Sequence, residues 1–298
     1  MATSTAAHSR ANSTLRGYIA LTKPRIISLL VFTALGGMFL GARGLPDPVL
    51  VVLVLGGGAL AAGGANALNH YLDRDIDGLM GRTSGRPIVS GNIAPLHAMW
   101  FGIALNVGAF IILGAFVNPL SALLTLSATL FYVFVYTKAL KRSTPQNIVI
   151  GGAAGAIPPM VGWVAVTGGL GLPALYMFAI VFFWTPPHFW ALALLIKDDY
   201  QRAGVPMLPV VAGIRDTKLH IFLYTLLLVA LTTMFFTTRA VGWVYLAGSL
   251  TLGIGFVAYA WRLMRRDGIE GAKSAYLYSL AYLALLFLVI MVDSVVRL

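Results

Sequence analysis

Nine runs of about 20 mostly apolar residues divide this chain, at approximately 26–43, 50–72, 95–116, 119–137, 146–166, 173–196, 219–238, 241–262 and 275–296. The hydrocarbon core of a bilayer is roughly 30 Å thick and a helix rises about 1.5 Å per residue, so each run is long enough to cross it. The strand-like alternation of a membrane barrel is absent. The predicted fold class is therefore all-α: a polytopic membrane protein of nine transmembrane helices. No intervening segment is long enough to separate a pair of soluble domains. Residues 26–298 read as a single membrane domain, preceded by a polar amino-terminal segment, 1–25. No small-residue cleavage site follows the first run, which reads as a retained span.

Composition agrees with this pattern. Of 298 residues, 59% are hydrophobic and 10% charged, and the mean hydropathy is +0.85. Soluble domains carry roughly 25% charged residues, so this chain must be solvated by the lipid bilayer. Its net charge of +11 is no nucleic-acid footprint, because the cations follow the spans. With the amino terminus inside, 18 of the 21 Lys and Arg residues fall in inward-facing segments, leaving Arg43, Arg239 and Arg297 outside. That is the bias of positive-inside insertion. It predicts a cytoplasmic amino terminus and an outside carboxyl terminus, in a bacterial plasma (inner) membrane rather than a mitochondrial one. The absence of cysteine excludes disulfides, thiolate metal sites and cysteine nucleophiles.

Only ten residues are acidic, and three of them, Asp73, Asp75 and Asp77, lie within five positions at the end of the second run. Asn69, Asp73 and Asp77 recur every four residues and share one helix face, with Asp75 turned away. Like charges so spaced repel, and beside lipid an Asp costs roughly 2.5–3.5 kcal/mol. A divalent cation offsets both terms, and hard oxygen ligands completed by substrate phosphate describe Mg²⁺. The rival reading is a solvated cap partnered by Arg74 and Arg82. Flanking Arg82 and Arg86, together with the three Asp and one Asn at this spacing, favour the metal. A second set, Lys197-Asp198-Asp199-Tyr200-Gln201-Arg202, closes the sixth run. It stands 125 residues after Asp73, at the matching place in the second half of the chain, which points to a site between the halves.

These residues resemble the UbiA-type intramembrane prenyltransferases. Asn69, Asp73 and Asp77 match the first aspartate motif of that superfamily. Longer strings, Tyr71 to Pro87, Asn147 to Pro159, Trp184 to Trp190 and Ala203 to Pro209, are similar to its protoheme-farnesylating branch, the heme O synthases. The resemblance runs from about residue 15 to the end. It implies a UbiA-like bundle with a central cavity and a cytoplasmic loop cap. It also implies transfer of farnesyl from farnesyl pyrophosphate to a vinyl group of heme b, with Mg²⁺ as cofactor and a downstream heme-modifying enzyme as a further partner. Asn69, Asp73, Asp77, Asp198 and Asp199 would be the catalytic metal ligands. Arg82, Arg86, Lys138, Lys141, Arg142, Tyr136, Lys197 and Arg202 would surround the substrate. Two departures stand out. Many relatives space the second motif as Asp-x3-Asp, whereas Asp198 and Asp199 are adjacent. Relatives also often set their Tyr one residue closer to the Lys-Arg-x-Thr element than Tyr136 stands.

His188, following Pro186 and Pro187, is either a heme-binding residue or a histidine hydrogen-bonded within the bundle; His70 faces the metal motif or its loop. Trp184, Trp190, Phe183 and Phe189 either line the isoprenoid tunnel or form an interfacial aromatic belt, the belt being the default for any one of them. Two other functions fit some of the pattern: a UbiA-type enzyme with a quinone-precursor acceptor, and a cation-coupled transporter. A transporter keeps its ionisable groups near the midplane, whereas these acids sit at helix ends.

Overall fold

The computed structural model describes residues 14–296, so His8, Arg10 and Arg297 lie outside the described residues. Nine of its helices are long and apolar enough to cross a membrane: α1 (Pro24–Ala42), α2 (Pro48–Leu72), α3 (Pro95–Phe116), α4 (Pro119–Leu140), α5 (Asn147–Thr167), α6 (Leu172–Leu195), α7 (Gly213–Thr238), α8 (Trp243–Arg265) and α9 (Ala272–Val296). Each begins within a few residues of its predicted run, except α7. Its first turns carry Arg215, Asp216 and Lys218, which hydropathy excludes although the backbone stays helical.

Local chemistry sets the ends. Proline opens α1 to α4 at their first positions, where its missing N–H is no loss. Asp47 caps α2 by accepting from Leu50 N at 2.8 Å, and Asn118 caps α4 by accepting from Ser121 N at 2.8 Å. The cap of α8 comes from another helix: the buried Asp293 of α9 accepts from Gly242 N at 2.6 Å and Tyr245 N at 3.1 Å.

Neighbours in sequence pack as neighbours in space, α9 returns to α1, and α1 with α5 and α6 with α9 pack across the bundle. The tightest crossing joins α1 to α5. A Cβ on Gly37 would stand 2.1 Å from Pro159 O, and one on Gly162 would stand 1.9 Å from Ala34 O; only hydrogen fits between these backbones. Large apolar residues such as Trp100, Phe116, Trp243 and Ile254 are exposed on the outer wall, where lipid is the solvent.

Within the polar amino-terminal segment, residues 14–22 are helical, and Leu21 there is fully buried. One expectation needs correction. Trp184 and Trp190 belong to no belt: both are buried, and Trp184 Nε1 donates to Ser279 O at 2.7 Å. In this bundle the Trp184 indole N–H finds its partner on a neighbouring helix instead of at the membrane interface.

Candidate active site

Helix α2 ends because Asp73 leaves the helical path (φ −90°, ψ 4°), and a single turn, Arg74–Asp77, follows it. Asp73 N bonds to Asn69 O and Asp77 N to Asp73 O, both at 2.9 Å, so the four-residue spacing survives the break. Asn69, Asp73 and Asp77 form one ridge and are 4%, 0% and 1% exposed. The side chain of Asp75 points outward and is 60% exposed.

Cations from three separate segments meet this ridge. Lys141 Nζ lies 2.5 Å from Asp73 Oδ2, which also accepts from Asn69 Nδ2 at 2.7 Å. Arg86 Nη1 lies 2.5 Å from Asp77 Oδ2. Lys23, the residue before α1, donates to Asn69 Oδ1 at 3.0 Å. Arg142 binds Asp75 through two bonds of 2.6 and 2.7 Å and sits 3.6 Å from Asp73 Oδ1. Burial raises the Asp77 carboxyl, opposed by Arg86. Burial and then the neighbouring Arg86 and Lys141 hold the Lys23 ammonium well below its ordinary value. The Arg142 hydrogen bond brings exposed Asp75 down to about 2.

The last ten residues of α4, Phe131–Leu140, are wound as a π-helix, a form that recurs at functional sites. Thr137 Oγ1 donates to Tyr132 O at 2.9 Å, and Lys141 N donates to Tyr136 O at 2.8 Å, each across five residues. Within this wider winding Thr137 Oγ1 stands 3.3 Å from Asn69 Nδ2, and just past its end Lys141 reaches Asp73. Tyr136 itself is half-buried, stacked on Tyr132 at 5.4 Å.

The second acidic set forms a short helix, Lys197–Arg202, after α6. Ile76 and Met80, beside the ridge, share one buried cluster with Tyr200, Val205 and Met207, so the two acidic segments meet at the same end of the bundle. Asp199 faces that contact: its Oδ1 is 3.8 Å from where a Cβ on Gly81 would stand, and it pairs with Arg202. Asp198 is exposed, as are Arg82 and Lys138, while Lys197 is half-buried.

His188 lies apart from the ridge. Its ring is stacked between Trp184 and Tyr276, with centroids 4.4 and 4.8 Å away, and its Nδ1 is 2.7 Å from Ser279 Oγ. Lys23, Thr137 and Asn147 are ridge neighbours that the spacing of motifs does not point to. Asn147 is fully buried and donates to Lys141 O at 3.3 Å. The contact of Lys23 spans 46 residues, and its one sequence signal is a lysine held directly before a span-opening proline.

Among the described residues no three His, Asp or Glu side chains gather as a ready-made metal cage. Asp73 and Asp77 are the two carboxylates of the ridge, and Lys141 and Arg86 hold one oxygen of each. The donor set nevertheless fits magnesium. It is all oxygen, and the buried Asp73 Oδ1 has no hydrogen-bond partner. A hard divalent ion that keeps several waters and takes one or two protein carboxylates needs no more than this. Two surface hollows, of about 430 Å³ by Phe236 to Trp243 and about 170 Å³ by Leu172 to Leu231, lie at the opposite end and carry none of the ridge residues.

Residues 30–290 match the model of the UbiA prenyltransferase family. A relative from Gloeobacter violaceus named protoheme IX farnesyltransferase is 50% identical over 287 residues, covering 96% of this chain and 94% of the relative. One of the same name from Roseiflexus sp. is 52% identical over 95% of this chain, which spans only about half (53%) of that relative's length. Among solved structures, a UbiA homolog from Aeropyrum pernix K1 superposes with a TM-score of 0.73 at 20% identity, covering 91% of this chain and 98% of that one. A UbiA homolog from Archaeoglobus fulgidus bound to GPP and Mg²⁺ gives 0.64 at 20% identity, covering 92% and 99%.

Proposed function

The chain belongs to the UbiA prenyltransferase family, and we propose that it transfers the farnesyl group of farnesyl pyrophosphate to a vinyl group of protoheme (heme b), yielding heme O and pyrophosphate. The observation that carries the acceptor is the 50% identity to a protoheme IX farnesyltransferase along nearly the full length of both chains. The donor half rests on the ridge: two buried carboxylates, one oxygen of them unpartnered, ringed by Lys23, Arg86 and Lys141.

The allylic C–O bond breaks and its electron pair leaves with pyrophosphate. Asn69, Asp73 and Asp77, together with Asp199, would hold magnesium, which would supply charge neutralisation at the leaving oxygens. Arg86, Lys141 and Lys23 exchange carboxylate and amide partners for phosphate oxygens, with Arg suited to a two-point grip. Stabilising charge where it develops is usually the largest single term in such a step. The terminal vinyl carbon of heme then bonds to farnesyl C1. Water adds to the cation left on the inner vinyl carbon and releases one proton, so the product carries a hydroxyl. The buried ridge keeps bulk water from reaching the farnesyl cation first.

The experiment is mass analysis of hemes after incubating membranes with radiolabelled farnesyl pyrophosphate and heme b. A farnesylated, hydroxylated heme formed by wild type and not by Asp73→Ala is expected. Label recovered only on an added phenolic acid overturns the acceptor assignment. The cation bias supports an orientation with residues 14–23 and the acidic end in the cytoplasm of a bacterial plasma membrane. Single cysteines introduced into this cysteine-free chain test it: a membrane-impermeant maleimide applied to intact cells is expected to label position 45, in the exposed loop between α1 and α2, and spare position 145, and the reverse result rejects it.

A further inference from the structure

Buried polar side-chain atoms without a hydrogen-bond partner are few in native proteins, and each one calls for a ligand or a reason. Seven occur among the described residues, and four of them belong to His70, Asp73 and Asn147 at the acid-bearing end. Asp73 Oδ1 has its explanation in the metal. His70 has none so far: its ring is 3% exposed and both nitrogens are unpartnered. In either protonation state an imidazole carries at least one N–H, so a donor is buried here with nothing to receive it.

The surroundings say what should receive it. His70 follows Asn69 directly, and its neighbour one turn earlier, Asn66, donates to Thr22 O at 2.9 Å. That face of α2 therefore meets the segment that delivers Lys23. The ring lies within electrostatic reach of Lys23, Arg86 and Lys141, the same three cations that hold the ridge oxygens. On the ridge two carboxylates offset those cations for a metal ion, whereas the imidazole brings no negative charge of its own, so the ligand drawn to it is an anion.

We propose that His70 donates a hydrogen bond to a diphosphate oxygen of the prenyl donor, as a substrate-contacting residue alongside the cations. This rests on the prenyl-diphosphate reading above. On binding, the anion draws Lys23 and Lys141 towards itself and satisfies the imidazole donor in the same movement. Because the ring makes no protein hydrogen bond, its removal should spare the fold.

The test uses the full chain in detergent with Mg²⁺ and an unreactive probe, farnesyl thiodiphosphate, titrated calorimetrically. His70→Leu is expected to bind the probe roughly 10- to 100-fold more weakly, the size of a hydrogen bond to a charged group, with Tm unchanged or raised. His70→Gln, which keeps a donor, is expected to recover most of the affinity. In turnover the loss should appear in KM for the prenyl donor and not for the acceptor. Unchanged affinity in His70→Leu overturns the proposal, as does an equal loss in both variants or a shift confined to acceptor KM. Failure of wild type to bind the probe at all, or retained binding in Asp73→Ala, instead refutes the underlying donor reading.

Discussion

Replacing Lys141 with Met removes the ammonium that sits 2.5 Å from Asp73 Oδ2 and leaves a fully buried carboxylate behind. Breaking a buried pair from one side costs about 3–5 kcal/mol, because the remaining charge is uncompensated. Two features of the site reduce that figure. Asn69 Nδ2 still donates to the same oxygen at 2.7 Å, and Arg142 stands 3.6 Å from the other, although its side chain is 38% exposed and so partly screened. The expected loss is therefore at the low end, about 2–3 kcal/mol. Changing Asp73 to Asn in the same background removes the second charge, and a pair deleted from both sides is close to neutral. The double variant should regain most of the stability, with a coupling energy of about 2 kcal/mol. The assay is a double-mutant cycle on unfolding in mixed micelles, followed by tryptophan fluorescence, with prenyl transfer measured in parallel. All three variants should be inactive, so stability and function separate. A double variant as unstable as the sum of the singles would refute the pairing argument.

The two adjacent acids of the second motif should differ. Asp199→Ala is expected to slow prenyl transfer by at least about tenfold, whereas exposed Asp198→Ala stays within about threefold of wild type; equal losses in the radiolabel assay would reject the assignment. At the α1–α5 crossing, Gly162→Ala puts a methyl 1.9 Å from Ala34 O. Relief requires a backbone shift, and overpacking of this kind typically costs about 1–3 kcal/mol; an unchanged Tm in detergent would contradict the close approach. Adding Gly37→Ala should cost less than it does alone, since the two methyls share one separation of the helices.

What the sequence makes legible follows from what lipid demands. A segment in hydrocarbon must satisfy its own backbone, so length and hydropathy locate α1 to α9 to within a few residues. The same rule misplaces the start of α7, because the helix continues past the apolar zone into Arg215 and Lys218. Periodicity likewise finds the ridge of Asn69, Asp73 and Asp77 and turns Asp75 outward, since both follow from local geometry. Long-range partners are not written in any local pattern. Nothing near Lys23 indicates that its ammonium reaches Asn69, and nothing in Asp198-Asp199 tells which carboxylate faces Gly81. The tryptophans mislead for a related reason: an indole suits an interface by default, but a carbonyl such as Ser279 O inside the bundle serves its N–H equally well.

The ridge also bears on how such a site survives before its substrate arrives. Two carboxylates four residues apart at the edge of hydrocarbon repel each other and lose hydration, and burial does raise Asp77. Lys141 and Arg86 hold one oxygen of each, and Lys23 holds the amide oxygen between them and the bundle interior. Asp73 Oδ1 has no hydrogen-bond partner and faces the Arg142 guanidinium at 3.6 Å. On the proposed reading, these cations are counterions first and phosphate ligands afterwards. The ion and the diphosphate then suit each other as a joint arrival: the metal takes over the carboxylates as the phosphates take over the lysines and arginine, and no charge is left buried alone at any stage. Free magnesium would have to displace two cations with nothing to receive them. Its binding without diphosphate should therefore be weak, and calorimetry with Mg²⁺ alone, then with Mg²⁺ and inorganic pyrophosphate, measures the difference; equal affinity in the two titrations would refute the exchange.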